Sequence, residues 1–149
     1  IVDGKLYRGA MGAAGEFGHM IIVSKGYKCG CGNVGCLEAQ ASGSAIKRRT
    51  GLDAISVELA ARQGDVKALQ AIQATAHYLA IGIANLVNIF NPELVIVGGG
   101  LSNMRELLFI PVRKEFKKYA MTLPARSVRI VRAELGTKAG VLGAAALCL

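Results

Sequence analysis

One imidazole and three thiols lie close together in this sequence. His19, Cys29, Cys31 and Cys36 form the group. Thiolate and imidazole are ligands that zinc prefers, and four of them complete a tetrahedral shell. The glycines between the cysteines let the backbone turn tightly around a small ion. The sequence therefore predicts a structural zinc site, because a filled shell leaves no position for an activated water.

A disulfide framework is the alternative use of these cysteines. It requires an oxidising compartment, which nothing in the sequence indicates, and Cys29 and Cys31 are too close to pair comfortably. Cys148 stands apart in an apolar segment, where we expect a small core residue. We therefore prefer zinc.

Two carboxylates flank the predicted metal ligands. Glu16 lies three residues before His19, and Glu38 lies two residues after Cys36. On a helical turn Glu16 and His19 project from the same side. A metal-bound histidine also directs its second ring nitrogen. Together these groups suit vicinal hydroxyls, since carboxylates accept charge-assisted hydrogen bonds; a helix-start or surface charge is the alternative use of each glutamate.

A second candidate site is the triple glycine Gly98, Gly99 and Gly100. It follows the apolar run Leu94 to Val97, which is typical of a buried parallel strand. Ligands of open α/β sheets bind at the carboxyl ends of such strands. Backbone amides there could contact a phosphate or a nucleotide base. The same pattern also fits an ordinary turn between a strand and a helix.

The longest predicted element is a helix of residues 66 to 90. Asp65 can cap its start and Pro92 follows its end. Its apolar residues recur at steps of three and four: Val66, Leu69, Ile72, Ala76, Leu79, Ile83, Val87 and Phe90. We expect two shorter helices before it, one capped by Ser42 and ending near Gly51, the other capped by Ser56.

The remaining segments predict strands alternating with helices. Strands are expected within residues 1 to 8, 20 to 23 and 128 to 131. Ser102 or Asn103 can cap a helix after the glycines, and Pro111 should kink or divide it. A final helix is expected from Lys138 to Leu149. This order predicts an α/β fold with right-handed crossovers.

Composition favours one compact soluble domain. The 149 residues are 52% hydrophobic and 19% charged, which argues against disorder. The net charge of +8 is scattered and there is no tryptophan, so we interpret it as surface charge and not a nucleic-acid site. With no signal pattern and no apolar run near the ~20 residues of a membrane span, we expect a cytoplasmic protein.

Several motifs together resemble the ROK family of bacterial sugar kinases and sugar-responsive repressors. They are Gly15-Glu16-Phe17-Gly18-His19, the segment from Cys29 to Glu38, Asn91-Pro92-Glu93, and Val95-Ile96-Val97 with the three glycines. The resemblance implies an actin-like, ribonuclease-H-like ATPase lobe: a mixed sheet with flanking helices and a small zinc-binding insertion. Residues 1 to 149 would be a single C-terminal lobe, without the N-terminal lobe. Its parts would be a zinc and sugar segment at 15 to 38, the long helix, and a nucleotide-side strand and glycine loop at 94 to 100.

The resemblance also implies roles for individual residues. Glu16, His19 and Glu38 would bind sugar hydroxyls, and His19 with Cys29, Cys31 and Cys36 would hold zinc. The loop of Gly98, Gly99 and Gly100 would lie against the adenosine of ATP. The family's phosphate loops and catalytic aspartate have no counterpart in this sequence, so we expect no catalytic residue here.

The expected parent is an ATP-dependent hexose kinase of the glucokinase type. It would transfer the γ-phosphoryl group of ATP to glucose or a related sugar with magnesium, and we expect a homo-oligomer. The chain alone is predicted to be inactive. The alternative is the sugar-sensing effector domain of a ROK repressor, which would bind nucleic acid through a helix-turn-helix upstream. A third possibility is a dimerisation module without a ligand.

Overall fold

The computed structural model describes residues 1–146 and confirms an α/β chain. Three short 3-10 helices occur at Phe17–His19, Gly100–Met104 and Gly136–Lys138. The strands are β1, Leu94–Val97, and β2, Arg129–Arg132. The helices are α1 (Leu37–Ala41), α2 (Gly43–Thr50), α3 (Ala54–Arg62), α4 (Val66–Phe90), α5 (Glu106–Phe116), α6 (Thr122–Ser127) and α7 (Ala139–Ala146).

Helix α4 is the centre of the core and has the predicted span. The Asp65 carboxylate accepts a hydrogen bond of 2.7 Å from the Ala68 amide, which caps the start of the helix. Asn91 ends it in the left-handed region, at φ 44°. The neighbouring helices α1, α2, α3 and α5 all contact α4. These four helices are therefore held against one long helix.

The apolar stripe of α4 is only partly buried. Ile72 and Ile83 lie in the core, whereas Val66 and Phe90 at the two ends are 65% and 49% exposed. Much of the buried face consists of alanines that the stripe did not include: Ala68, Ala71, Ala80 and Ala84. Small side chains let the surrounding helices approach α4 closely, so the contact surface is wider than the large residues indicate.

The sheet is smaller than the expected mixed sheet. Strands β1 and β2 pair in parallel, with Leu94 opposite Arg129. The strand predicted at residues 20 to 23 is wrong: Ile21 makes only an isolated bridge with Cys36. The amides of Ile22 and Val23 donate to the Gly35 carbonyl instead, because the cysteine loop lies beside this segment. Residues 1 to 8 likewise contribute one isolated bridge.

Two of the predicted helix caps need correction. Ser42 does cap α2, accepting from the Ala45 amide. Helix α3, however, is capped by Asp53, whose carboxylate accepts from the Ser56 amide at 2.8 Å. The Ser102 hydroxyl donates to the Gly99 carbonyl and so stabilises the glycine loop, while α5 begins at Glu106. A carboxylate is as good a cap as a hydroxyl, and sequence order alone did not separate the two.

Pro111 lies inside α5 without dividing it. Core side chains flank the proline on both sides, with Leu108 and Phe109 before it and Val112 and Phe116 after it, all buried. These side chains belong to the same core cluster as the buried residues of α4, so both halves of the helix pack in the core. The last described helix is α7, whereas Cys148 and the predicted helix end at Leu149 lie outside the described residues. Within residues 1–146, none of the helices has the length and apolar character that a bilayer crossing requires.

A small ionic cluster joins α4 to α5. Glu115 is nearly buried, and its carboxylate accepts from Lys118 Nζ at 2.5 Å and lies 3.2 Å from His77 Nδ1. The hydrogen bond from Lys118, followed by that from His77, lowers the pKa of Glu115 below its ordinary value of 4.5. The ionised form of Glu115 is therefore the one that the folded state favours.

We predict that this cluster makes folding stability depend on pH. Because the folded pKa of Glu115 is depressed, its contribution is present above pH 4.5 and disappears as the pH falls through the lower folded pKa. Glu115→Gln should lower Tm at neutral pH and reduce the loss of Tm on acidification. Thermal melts from pH 7 downward measure both effects. Exposed Glu134→Gln is the control, and identical pH profiles of all three proteins would contradict the prediction.

Candidate metal centre and the pocket beside it

The four predicted metal ligands come together in one cluster. The ligand atoms of His19, Cys29, Cys31 and Cys36 all lie within 4.8 Å of one another. Cys31 Sγ is 3.6 Å from Cys36 Sγ, and Cys29 Sγ is 3.5 Å from His19 Nδ1. Zn–S bonds of about 2.3 Å and Zn–N bonds of about 2.0 Å in a tetrahedron separate the ligand atoms by about 3.5–3.8 Å. The cluster therefore has the size and chemistry to hold one metal ion.

A tight backbone loop presents the three thiols. The Cys29 amide donates to the Asn33 carbonyl at 2.8 Å, and the Gly35 amide donates to the Tyr27 carbonyl at 3.0 Å. Cys29 and Cys36 are buried, whereas Cys31 at the tip of the loop is exposed. All three are free thiols. The loop is closed by backbone hydrogen bonds and the sulfur atoms remain available to a metal.

Gly35 cannot take a side chain without displacing the backbone beside it. Its φ is +82°, and a Cβ at this position would lie 1.7 Å from the Val23 carbonyl oxygen. Gly30, in the same loop, does not have a positive φ. A Cβ at that position would meet no atom within 4 Å. Glycine is therefore sterically required at residue 35, whereas residue 30 has room for a small side chain.

The thiols differ in how readily they ionise. The hydrogen bond with the Asn33 backbone is the main reason that the pKa of Cys31 falls to about 7. Burial, aided by the neighbouring thiols, raises the pKa of Cys36 to about 12. A metal must displace the proton from a buried thiol such as Cys36, so metal uptake at this cluster is coupled to proton release.

Both predicted carboxylates lie next to His19. Glu16 Oε2 is 3.7 Å from His19 Nε2, and Glu38 Oε2 is 3.6 Å from His19 Nδ1. Glu16 directly precedes the 3-10 helix that carries His19. Glu38 lies on α1, which begins directly after Cys36. These distances exceed an ordinary hydrogen bond, and the two carboxylates are 74% and 57% exposed. Their oxygen atoms are open to a ligand from solvent.

The glycine loop lies at the carboxyl ends of both strands. Gly99 adopts φ +81°, and Gly98 is close to Ala133, which follows β2. Arg132 is opposite Val97 in the sheet, and its Nη2 donates to Asn103 Oδ1 at 3.0 Å. Sequence reasoning did not select Arg132; only the pairing of β1 with β2 brings it to this edge.

The fold and the site together define an α/β lobe in which a histidine-cysteine cluster that could hold a metal lies beside two exposed carboxylates. The sequence model of the ROK family matches residues 1–149. The chain belongs to the ROK family.

Curated relatives include both kinases and repressors. The chain is 36% identical to the glucokinase of Streptomyces coelicolor, over 99% of the chain and 54% of the relative. It is 37% identical to the glucokinase of Thermotoga maritima, over 99% of the chain and 53% of the relative. The xylose repressor of Bacillus subtilis is 32% identical, over 100% of the chain and 40% of the relative. The chain thus spans about half the length of its glucokinase relatives.

The solved structures that resemble this chain also include both a kinase and a transcriptional regulator. A ROK family glucokinase from Streptomyces griseus, in complex with glucose and AMPPNP, superposes with a TM-score of 0.87 and 37% identity. That match covers 96% of this chain and 54% of the other. A ROK family transcriptional regulator, a homologue of the E. coli MLC protein, gives a TM-score of 0.80 at 28% identity, covering 89% of this chain and 37% of the other. The chain therefore shares the actin-like ATPase fold of ROK sugar kinases.

We predict that Gly35→Ala abolishes tight metal binding while Gly30→Ala does not. A Cβ at residue 35 must displace the Val23 carbonyl and open the loop between Cys31 and Cys36, whereas a Cβ at residue 30 meets no atom within 4 Å. Elemental analysis of each purified chain gives the zinc content per chain. Full zinc content in Gly35→Ala would contradict the steric role of this glycine.

Proposed function

We propose that this chain is the sugar-binding and zinc-binding C-terminal part of an ATP-dependent hexose kinase that phosphorylates glucose or a related sugar. The observation that carries the proposal is the placement of Glu16 and Glu38 beside the two ring nitrogens of His19, next to the cysteine cluster. The glucokinase relatives support it, as does the neighbour whose structure contains glucose and AMPPNP.

Each side chain of the pocket has a distinct part in sugar binding. Glu16 and Glu38 accept hydrogen bonds from neighbouring hydroxyls, which ionised carboxylates do more strongly than neutral acceptors. His19 uses one ring nitrogen for the metal and offers the other to a hydroxyl. The gaps of 3.7 and 3.6 Å between the imidazole and the carboxylates leave these atoms free to exchange partners when a sugar enters.

Zinc in this proposal is structural. His19, Cys29, Cys31 and Cys36 would fill its four positions, so the ion would supply a cross-link and no activated water. The cross-link ties the histidine to the cysteine loop. The direction of the imidazole then becomes a property of the loop, and a sugar meets a preformed acceptor set.

The nucleotide would lie at the other candidate site. Gly98, Gly99 and Gly100 offer backbone without side chains at the carboxyl ends of β1 and β2, where an adenosine could approach closely. Magnesium would accompany ATP in the complete kinase and neutralise its phosphates. This chain would contribute the adenosine contact and the sugar pocket.

The chain's own aspartates do not supply a catalytic base. Asp53 and Asp65 accept hydrogen bonds from the amides of Ser56 and Ala68, which makes both of them helix caps. Asp3 lies in a tight turn with φ 49°. A kinase needs an aspartate against the sugar hydroxyl, so we propose that the 149-residue chain alone does not transfer phosphate.

A sugar-sensing repressor domain is the second candidate function. The xylose repressor of Bacillus subtilis and the ROK regulator structure match nearly the whole chain, with identities of 32% and 28%. The sugar pocket and the metal cluster would serve a sensor as well as a kinase. The two functions differ in what the bound sugar does next: it receives a phosphoryl group, or it shifts a DNA-binding equilibrium.

Glucose titration of the zinc-loaded chain tests the pocket. Glu16→Gln and Glu38→Gln should each weaken binding about tenfold or more, because each removes a charged acceptor while keeping the side-chain shape. Zinc content should stay unchanged. Glu58→Gln is the matched control, since that carboxylate pairs with Arg62 within α3, away from His19 and the cysteines. Calorimetry decides: unchanged affinity in both pocket variants, or no binding by the wild-type chain, would contradict the proposal.

An assay of the longer protein that carries this chain separates kinase from repressor. We expect glucose-dependent consumption of ATP by that protein and none by residues 1–149 alone. The physical reason is that positioning a sugar does not replace a catalytic base and a phosphate-binding loop. Sugar-dependent DNA binding without phosphoryl transfer would instead support the repressor.

A further inference from the structure

Arg49 on α2 joins two elements that are far apart in the sequence. Its Nη2 donates to the Gln40 carbonyl at 2.5 Å, and its Nη1 donates to Thr75 Oγ1 at 3.1 Å. Gln40 is in α1, the short helix that also carries Glu38, whereas Thr75 is a fully buried residue of α4. The Arg49 guanidinium therefore connects α1 to the core helix α4.

The same guanidinium also contacts two aromatic rings. Arg49 Cζ lies 5.5 Å from the ring centre of Tyr78 on α4 and 5.7 Å from that of Tyr27. Tyr27 packs against the small apolar cluster of Cys29, Cys36 and Ala39. A cation over an aromatic face is favourable, most of all where water is partly excluded. Arg49 thus reaches the metal loop as well as α1 and α4.

Helix α1 needs such support. It has five residues, and Cys36 at its start makes no side-chain cap hydrogen bond. An isolated helix of this length is unstable, because nucleation costs more than one turn returns. Two arginines of α2 donate hydrogen bonds to carbonyls at the end of α1. Arg49 donates to the Gln40 carbonyl, and Arg48 Nη1 donates to the Ala39 carbonyl at 3.5 Å. Positive charge at a helix C-terminus adds to this stabilisation.

We propose that Arg49 is a positioning residue that fixes α1 and the metal loop against α4, and thereby sets where Glu38 stands relative to His19. It touches neither the sugar nor the metal; it acts through Gln40 and Tyr27. The part of the proposal that concerns sugar rests on the proposed function. The part that concerns α1 and the metal loop stands on the contacts of Arg49 alone.

Hydrogen exchange of the zinc-loaded chain tests the structural part. Arg49→Met keeps an unbranched apolar side chain but removes the donors and the charge. We expect the amides of residues 37–41 to exchange about tenfold faster or more, as the loss of hydrogen bonds to a charged group predicts, while the α4 amides of residues 76–87 keep their protection. Arg62→Met is the control, because that arginine pairs only locally with Glu58 on α3. Unchanged exchange at 37–41, or an equal rise throughout α4, would overturn the proposal.

A lysine variant tests whether the planar guanidinium of Arg49 is needed or its positive charge is enough. Arg49→Lys keeps the cation but cannot donate from two spaced nitrogens while lying flat against both rings. We expect faster exchange at residues 37–41 and faster loss of zinc to a chelator, as in Arg49→Met. Wild-type behaviour of Arg49→Lys would overturn the fork geometry.

Glucose affinity then tests the link to the pocket. Arg49→Met should weaken glucose binding about tenfold at full zinc content, whereas Arg62→Met should leave it unchanged. Wild-type glucose affinity in Arg49→Met would overturn the positioning of Glu38. If the wild-type chain binds no glucose, the proposed function fails, and the exchange data still decide whether Arg49 holds α1.

Discussion

The proposed site rests on one close approach: three sulfur atoms and one ring nitrogen lie within 4.8 Å of one another. The segment that supplies them has little other support. Between Gly15 and Cys36 its regular structure is one short 3-10 helix, and its buried apolar cluster is limited to Cys29, Cys36 and Ala39. A metal bound by these four atoms would add a cross-link to this small core. In our proposal a bound metal fixes the direction of His19, and with it the position of the sugar acceptors.

The second support of the pocket is the helical core. Helix α4, with its buried alanines, allows α1, α2 and α3 to pack closely, and Arg49 connects that packing to the cysteine loop. The site thus combines a loop that a metal would cross-link with a helical scaffold behind it. Binding residues on loops work best when a scaffold fixes their base, since preorganisation lowers the entropy lost on binding.

The sequence predicted the clustering of the candidate metal ligands better than it predicted the sheet. The metal ligands are close in sequence and their types specify the chemistry, so His19, Cys29, Cys31 and Cys36 could be chosen without a structure. The strand at residues 20–23 failed because an apolar run does not reveal whether a partner strand exists; here the partner is the Gly35 carbonyl. Arg49 could not be found either, since its partners Gln40, Thr75 and Tyr27 are brought together only by the folded chain.

The metal centre, in our proposal, organises the sugar pocket. Glucose calorimetry on one preparation, first loaded with zinc, then stripped by a chelator and finally reloaded, tests that claim most directly. We expect binding in the loaded chain, its loss on stripping and its return on reloading, because His19 and Glu38 lose their fixed separation without the cross-link. Equal glucose affinity in the loaded and stripped chains would show that the pocket does not need the metal, and would contradict the proposal.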